Sequence, residues 1–345
     1  SFGMICAEDE IGIGTAHDGI IVLPEEAVPG TPAAEYYQLE SDWLIEIDIT
    51  ANRADALSHY GVARDLYAWL VQRGYKTSLH RPDCSAFHVD NESLPIDVVI
   101  ENNEACKRYA CISITDCEVK ESPKWLQDKL NTIGLRPINN IVDITNYIMM
   151  AYGQPMHCFD ADMVKGHKIV VRTQPEGTKF VTLDGVEHVL GEHDLSICNA
   201  EEPMCIAGIF GGKGSGTYET TKNVVLEAAY FHPTWIRKSA RRHGLSTDSS
   251  FRFERGIDPN GTIYALKQAA ILCQQLAGGK VSMQIRDVYP NPLPDFDVNL
   301  KYEYCDRLIG KKLGADTIKS IVTSLEMKIK HEDAEGLQLD VPAFR

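Results

Sequence analysis

The sequence lacks most of the short motifs by which enzymes, metal proteins and membrane proteins are recognised. Its ten cysteines are scattered singly, with no Cys-x-x-Cys pair, which argues against a zinc ribbon, a redox motif or a disulfide framework. No run approaches the roughly 20 apolar residues of a membrane span, and the start has no secretory signal. These absences predict a reduced, cytoplasmic protein with no membrane contact. The missing initial Met suggests that the chain begins partway through a longer protein.

Motifs for nucleotide and hydrolase chemistry are also absent. The segment 207–214 superficially resembles a P-loop, but it has Ala207 in place of the first glycine. It also has Gly214 where a Ser or Thr must reach magnesium. The sequence contains neither His-Glu-x-x-His nor a Gly-x-Ser-x-Gly elbow. ATP chemistry is therefore not expected in this chain.

The net charge argues against nucleic-acid binding by the protein surface as a whole, but one segment of the sequence is locally basic. A net charge of −15 opposes phosphate contacts, which come from Lys and Arg. Between residues 231 and 260, however, there are six basic residues and only three acidic ones. The basic residues are Arg237, Lys238, Arg241, Arg242, Arg252 and Arg255. RNA, if it binds, is expected to contact this patch.

Length and periodicity predict a multi-domain α+β protein. A chain of 345 residues exceeds the ~250–300 residues that a single core usually serves. Apolar periodicity and turn signals predict strands and helices in a mixed order. The predicted strands are 43–49, 96–100, 109–114, 169–172, 206–210, 224–226 and 298–300, and the predicted helices are 58–71, 123–133, 140–150, 233–242, 262–276 and 315–325.

Two strings place polar residues beside predicted helix ends and turns. Thr145 and Asn146 lie late on a helix, and His157 follows in the next turn, so that all three can face one pocket. Alternatively, His157 is a structural residue with satisfied hydrogen bonds. In the string 207–212, the glycines let the backbone approach a ligand closely, although a tight β-turn explains them equally well.

Two further strings combine charge with apolar or hydroxyl residues. Glu227 lies inside an apolar run, 224–231, and a buried carboxylate needs a donor. That donor is either a structural Arg or a substrate hydroxyl. In the string 241–259, basic residues flank the hydroxyls of Thr247 and Ser249. This pattern is typical either of phosphate contacts beside a pocket or of a salt-bridged strand and turn.

Together these four strings, in this order and spacing, resemble the B3/B4 editing domain of bacterial phenylalanyl-tRNA synthetase β subunits. The upstream strings 1–6 and 48–55 are similar to the same subunit just after its OB-fold insertion, and the tail from Val298 is similar to the start of its B5 domain. The resemblance implies an α+β, multi-domain chain. Residues 1–82 would be the remainder of a B1-type domain, 83–290 the editing domain and 297–345 a truncated B5 domain.

The resemblance also implies partners and an activity. The full enzyme is an (αβ)₂ heterotetramer whose α subunit uses ATP and Mg²⁺ to aminoacylate tRNA(Phe). The family's magnesium-binding carboxylates lie beyond Arg345, so neither cofactor nor metal site is expected here. The chain is expected to hydrolyse tyrosine wrongly attached to tRNA(Phe) by attack of water, and to help bind the tRNA. The alternative is a non-catalytic scaffold that docks the α subunit and tRNA.

By the same resemblance, His157, Asn146 and Thr145 position the aminoacyl group and water, and Glu227 reads the tyrosine hydroxyl. The rest of the pocket and the RNA contacts follow from the other strings. Lining residues are Ala207, Gly208, Gly211, Gly212, Thr247 and Ser249, and RNA contacts come from Arg237, Arg241 and Arg242. Position 249 departs from the family, which usually has Ala there.

Overall fold

The computed structural model describes residues 4–14, 16–39 and 42–345. Half of the string 1–6 therefore lies outside the described residues. The chain divides into two compact units, one ending at Ile47 and the other running from Asp48 to Arg345. Within the described residues, no helix is long and apolar enough to cross a membrane.

The first unit contains a 3₁₀ turn at Asp9–Ile11 and a short helix, α1, at Ala33–Tyr36. The predicted strand at 43–49 is wrong, because these residues form no strand. Trp43 is 89% exposed and Ile45 is 74% exposed. Alternating apolar residues make a stable strand only when a neighbouring strand pairs with the backbone and the apolar side is covered. Neither condition is met among the described residues.

The second unit mixes helices and strands along its whole length. Its α-helices are α2 (His59–Gln72), α3 (Lys124–Thr132), α4 (Asn140–Tyr152), α5 (Pro233–His243), α6 (Asp248–Phe253), α7 (Thr262–Ala277), α8 (Tyr302–Ile309) and α9 (Ala315–Ser324). Its strands are β1 (Asp97–Ile100), β2 (Cys106–Thr115), β3 (Met156–Asp160), β4 (Lys168–Thr173), β5 (Thr178–Val181), β6 (Glu187–Leu190), β7 (Leu195–Cys198), β8 (Pro203–Ile206), β9 (Phe210–Gly211), β10 (Val224–Phe231), β11 (Lys280–Val281), β12 (Arg286–Val288), β13 (Phe296–Lys301), β14 (Lys328–Glu332) and β15 (Gly336–Val341).

The strands form four sheets. One sheet has the order β1-β4-β7-β8-β9, and the second has the order β11-β2-β10-β3, with β12 also paired to β2. The third sheet is β13-β15-β14, and β5 and β6 form a two-stranded ribbon. Only the β1–β4 pairing is parallel among the described ladders. The predicted α+β class is confirmed.

The main core lies around the central strands β2 and β10. Both strands are buried along nearly their whole length, which explains why they read as continuous apolar runs instead of alternating ones. Helices α4 and α7 contact each other and the second sheet. Helix α4 begins at Asn139, whose side chain accepts from the N–H groups of Ile141 and Val142, as an N-cap should. The residues after Phe296 enclose a smaller core of their own, made of Ile318, Val322, Leu337 and Leu339.

The six predicted helices are confirmed to within two residues at each end, but the strand predicted at 206–210 is wrong. Strand β8 ends at Ile206, a turn follows, and β9 begins at Phe210. The turn is closed by a hydrogen bond from the Ile209 N–H to the Ile206 carbonyl. Gly208 supplies a φ of +69°, a conformation that favours glycine. An apolar run broken by this residue therefore folds into a hairpin.

Arg108 joins β2 to two other parts of the second unit. Its guanidinium donates to both carboxylate oxygens of Asp287 at 2.9 and 2.7 Å and to the Pro259 carbonyl at 2.6 Å. Arg108→Met should lower the free energy of unfolding by about 3 kcal/mol, because it leaves Asp287 and the carbonyl without their donor. Urea denaturation measures this loss.

The matched control is Arg286→Met, because the exposed Arg286 pairs with an exposed Asp97 at 3.1 Å. Such surface pairs contribute roughly 0–1 kcal/mol. Equal losses in the two variants would contradict the structural role of Arg108.

Candidate active site

The centre of the candidate site is set by strand register in the second sheet. Glu227 on β10 lies opposite His157 on β3 and opposite Cys111 on β2. Tyr109 is two residues from Cys111 and therefore shares its face of the sheet. Diagonal neighbours across a strand pair are within reach of an aromatic side chain. Glu227, His157 and Tyr109 thus project from one face of three adjacent strands.

Three polar atoms of these residues are buried without a partner. Within the described residues, Glu227 Oε2, His157 Nε2 and the Tyr109 hydroxyl have no hydrogen bond. Glu227 is 5% exposed and Tyr109 is 0% exposed, while His157 is half-buried as a residue and its Nε2 is fully buried. Orphaned buried polar groups are uncommon in folded proteins. Three of them on one face, two of which also influence each other's pKa, make this face the candidate site for a polar ligand.

Burial changes the protonation of these residues. It raises the pKa of Glu227 to about 7, opposed by the nearby Tyr109 hydroxyl, and lowers the pKa of His157 to about 4. Burial, followed by the charge of Glu227, raises the pKa of the Tyr109 phenol well above its usual range. Near neutral pH, His157 is therefore neutral, Tyr109 keeps its proton, and Glu227 is divided between its two forms. No described arginine pairs with Glu227, so the alternative of a structural Arg is not supported.

The turn 207–211 approaches the imidazole of His157 at Gly211. A Cβ added to Gly211 would lie 3.0 Å from His157 Cε1 and 2.8 Å from Leu183 Cδ1. A Cβ on Gly208 would lie 2.8 Å from the Phe253 ring, which itself packs against Phe231. Glycine at these two positions therefore allows the turn to approach the ring of His157 and the two phenylalanines closely.

The two flanking residues of that string serve the scaffold. The N–H of Ala207 donates to the Leu195 carbonyl at 2.9 Å, and the N–H of Gly212 donates to the Met204 carbonyl at 2.8 Å. A Cβ on Gly212 would lie 2.6 Å from the Met204 oxygen. These N–H groups are thus engaged within the sheet, whereas Gly208 and Gly211 approach the ring side chains.

Thr247 connects helix α6 to this turn. Its hydroxyl donates to the Ile209 carbonyl at 3.1 Å and accepts from the Ser250 N–H at 3.1 Å. The Ser250 hydroxyl in turn accepts from the Thr247 N–H, which completes a capping box. Ser249 is half-buried in the first turn of α6. The hydroxyl residues of the string 241–259 thus begin helix α6 and not a strand. The Thr-x-x-Ser spacing of Thr247 and Ser250 was the sequence signal for this helix start.

Thr145 and Asn146 lie on α4, and no hydrogen bond in the described part of the chain joins them to His157 or Glu227. The Thr145 hydroxyl donates to the Val142 carbonyl of its own helix at 2.7 Å, and Asn146 is half-buried. The structure therefore brings together His157, Glu227, the glycine turn and Thr247. The sequence interpretation missed Tyr109, although a tyrosine inside the apolar strand 106–115 was a signal for it.

The basic patch is smaller than the sequence suggests. Arg237 and Arg241 are exposed on α5, whereas Arg242 donates to Glu176 at 2.9 Å and lies 3.4 Å from Asp194. Arg252 is buried and donates to the carbonyls of Leu57 and Asp248. Arg255 lies over the Phe251 ring and donates to Glu254. Among the predicted RNA contacts, Arg237 and Arg241 are the ones that expose their charge without a described ion pair.

Glu227 and His157 should give opposite pH dependence to stability. The pKa of Glu227 rises on folding from 4.5 to about 7, so its carboxyl stabilises the fold below pH 4.5 and loses that contribution as pH rises through 7. The pKa of His157 falls from 6.5 to about 4, so its contribution is present above pH 6.5 and is lost as pH falls through 4. Each change corresponds to about 3 kcal/mol.

The two effects nearly cancel in the unmodified chain between pH 4.5 and 6.5. In Glu227→Gln, the free energy of unfolding should therefore rise with pH over this range relative to the unmodified chain, and in His157→Asn it should fall. Denaturant titrations at several pH values measure both slopes. If the free energy of unfolding changed with pH in the same direction in both variants, the opposite pKa shifts of Glu227 and His157 would be contradicted.

Comparisons with known proteins converge on one group. The model of the B3/4 domain family matches residues 105–278. The phenylalanine–tRNA ligase beta subunit of Bacteroides fragilis strain YCH46 is 65% identical over 345 residues, which is all of this chain and 42% of that protein. The corresponding beta subunit of Porphyromonas gingivalis is 50% identical, again over all of this chain and 42% of that protein. The chain thus spans less than half the length of the curated relatives it matches.

A solved structure is also similar, at a lower level. It is an N-terminal fragment of the phenylalanyl-tRNA synthetase beta subunit from Pyrococcus horikoshii, with 16% identity and a TM-score of 0.38. The match covers 86% of this chain and 80% of that one. Likeness at this level has no bearing on the site.

Proposed function

The chain belongs to the phenylalanine–tRNA ligase β-subunit family and contains a B3/4 domain, and from that premise we propose that it removes tyrosine wrongly esterified to tRNA(Phe). The observation that carries the proposal is the group of three unpartnered polar atoms, on Glu227, His157 and Tyr109, buried on one sheet face. The substrate would be the aminoacyl ester, and the products would be tyrosine and the free tRNA 3′ end.

Selection against phenylalanine follows from burial. Tyrosine exceeds phenylalanine by one hydroxyl, and an apolar pocket rejects an added hydroxyl by only about 10²-fold. A second pocket that requires the hydroxyl makes the opposite choice. Phenylalanine there would leave Glu227 without a donor, which costs about 1–3 kcal/mol or more. The correctly charged tRNA would therefore be spared.

The reaction would be attack of water on the ester carbonyl. The new bond joins the water oxygen to the carbonyl carbon, the bond to the ribose oxygen breaks, and that oxygen takes the proton. His157, with its pKa near 4, is a weak base at neutral pH. Its unpartnered Nε2 therefore suits hydrogen bonding that orients water or the ester more than it suits removal of a proton. Thr145 and Asn146 would help position the aminoacyl group.

The rest of the proposal concerns the whole protein. The ATP- and Mg²⁺-dependent ligation would take place on an α subunit, with which the β subunit forms a heterotetramer. Among the described residues, no group of three or more His, Cys, Asp or Glu could hold a metal ion. The exposed charges of Arg237 and Arg241 on α5 would contact the tRNA backbone.

Glu227→Gln should lower kcat/KM for the tyrosyl ester by about 10- to 100-fold, because a charge-assisted hydrogen bond to the substrate hydroxyl is lost. Loss of ester from preformed Tyr-tRNA(Phe) and Phe-tRNA(Phe) measures the rate and the preference. Glu254→Gln is the matched control, since Glu254 pairs with Arg255 at 2.6 Å outside the site. An unchanged preference in Glu227→Gln would refute the reading of the hydroxyl by Glu227.

The double variant Arg237→Ala/Arg241→Ala should weaken tRNA binding and reduce the slope of log affinity against log salt by about 2, because each lost phosphate contact contributes about 1. Arg242→Ala should change this slope less, since Arg242 already pairs with Glu176. Filter binding at several salt concentrations measures the slopes. If Arg242→Ala reduced the slope by about 1, as much as each exposed arginine is expected to, the assignment of the RNA contacts to Arg237 and Arg241 would be contradicted.

The alternative, a non-catalytic scaffold, predicts another outcome of the ester assay. A scaffold would bind tRNA without accelerating loss of either ester. Selective loss of the tyrosyl ester over the spontaneous rate supports the hydrolase.

A further inference from the structure

The Tyr109 hydroxyl is a buried polar group that has no role in the reaction proposed above. The ring is 0% exposed and the hydroxyl has no partner among the described residues. A buried hydroxyl without a hydrogen bond costs about 1–3 kcal/mol, whereas phenylalanine at the same place would fill the space at no such cost. The hydroxyl therefore needs an explanation other than packing.

Its position suggests that explanation. Tyr109 shares a sheet face with Glu227, and its hydroxyl lies within hydrogen-bonding reach of that carboxyl, which lowers the pKa of Glu227 against the effect of burial. The two groups nevertheless do not form a hydrogen bond of acceptable geometry, since Glu227 Oε2 and the Tyr109 hydroxyl both remain without a partner. Two complementary groups that are buried side by side without a well-formed hydrogen bond can both bond to one ligand atom within reach of each.

We infer that Tyr109 is a specificity-determining residue, which donates a hydrogen bond to the phenolic oxygen of a tyrosyl ligand while that phenol donates to Glu227. This inference rests on the proposed function, because it names how the same pocket recognises its substrate. A hydroxyl is both a donor and an acceptor, so a phenol can satisfy both residues at once. Phenylalanine would leave two buried groups unpaired instead of one.

The ligand's phenolic oxygen accepts a hydrogen bond from Tyr109, whereas its O–H donates to Glu227, so a ligand that only donates distinguishes the two residues. An amino group in place of the phenolic hydroxyl still donates to Glu227, but its nitrogen accepts hydrogen bonds poorly because its lone pair is delocalised into the ring. A 4-aminophenylalanyl ligand therefore uses Glu227 without using Tyr109. A ligand series of tyrosyl, 4-aminophenylalanyl and phenylalanyl groups distinguishes the two contributions.

The test is binding of amide-linked 3′-aminoacylamino-adenosine analogues to the whole chain, measured by calorimetry. These analogues cannot be hydrolysed as esters. Tyr109→Phe should weaken the tyrosyl analogue by roughly 5- to 30-fold and change the 4-aminophenylalanyl and phenylalanyl analogues by less than about 2-fold. The matched control is Tyr230→Phe, which removes a hydroxyl from the other face of β10 and should change none of them.

Thermal unfolding at pH 5, where the Glu227 carboxyl is protonated, gives the second readout. At that pH, Tyr109→Phe should unfold at the same temperature or higher, since the lost hydroxyl makes no hydrogen bond of good geometry in the free chain. A lower unfolding temperature, or a variant that does not fold, would show a structural role and overturn the inference. Equal weakening of all three analogues, or no weakening of the tyrosyl one, would overturn it too.

The binding test also separates this inference from the proposed function. If the unmodified chain binds the tyrosyl analogue selectively through Tyr109 but does not hydrolyse Tyr-tRNA(Phe), the hydrolase proposal fails and the inference stands. If the chain hydrolyses the tyrosyl ester selectively and Tyr109→Phe binds its analogue as tightly as before, the inference alone fails. If the unmodified chain shows no preference among the analogues, the inference is overturned.

Discussion

The pairing of β10 with β2 on one side and β3 on the other is the constraint on which the candidate site depends. Side chains alternate between the two faces of a strand, so a slip of one residue would turn a side chain to the opposite face. In the observed register, Glu227 lies between His157 and Cys111. The same register places Tyr109 on that face. The site is therefore built into the sheet and not carried by a mobile loop.

The apolar surroundings give the three polar groups their chemistry. Burial lowers the effective dielectric, which disfavours the charged form of each group and strengthens any hydrogen bond that a ligand makes there. The glycine turn adds to this enclosure, because Gly211 approaches the imidazole of His157. Thr247 fixes the turn through the Ile209 carbonyl. Unpaired polar groups destabilise a fold, so the extensive core around β2 and β10 offsets their cost.

Local patterns predicted the helices well and the assembly of the site poorly. Apolar periodicity with clear end signals identified α4 and α7, since helices form from neighbouring residues. The alternation at 43–49 failed as a strand, because pairing depends on a distant partner. The cross-strand pairing of His157 with Glu227 joins residues separated by 70 positions, and no local rule gives that register. The family resemblance brought both residues together as a hypothesis, whereas Tyr109 emerged only from its burial.

Titration of the Glu227 carboxyl, followed by ¹³C NMR with and without a bound analogue, tests the central claim most directly. The proposal requires the Glu227 carboxyl to titrate near pH 7 in the free chain. The tyrosyl analogue should lower that midpoint, because a donated hydrogen bond favours the carboxylate, and the phenylalanyl analogue should not lower it. A midpoint near the ordinary value in the free chain, or the same midpoint with both analogues, would contradict the account.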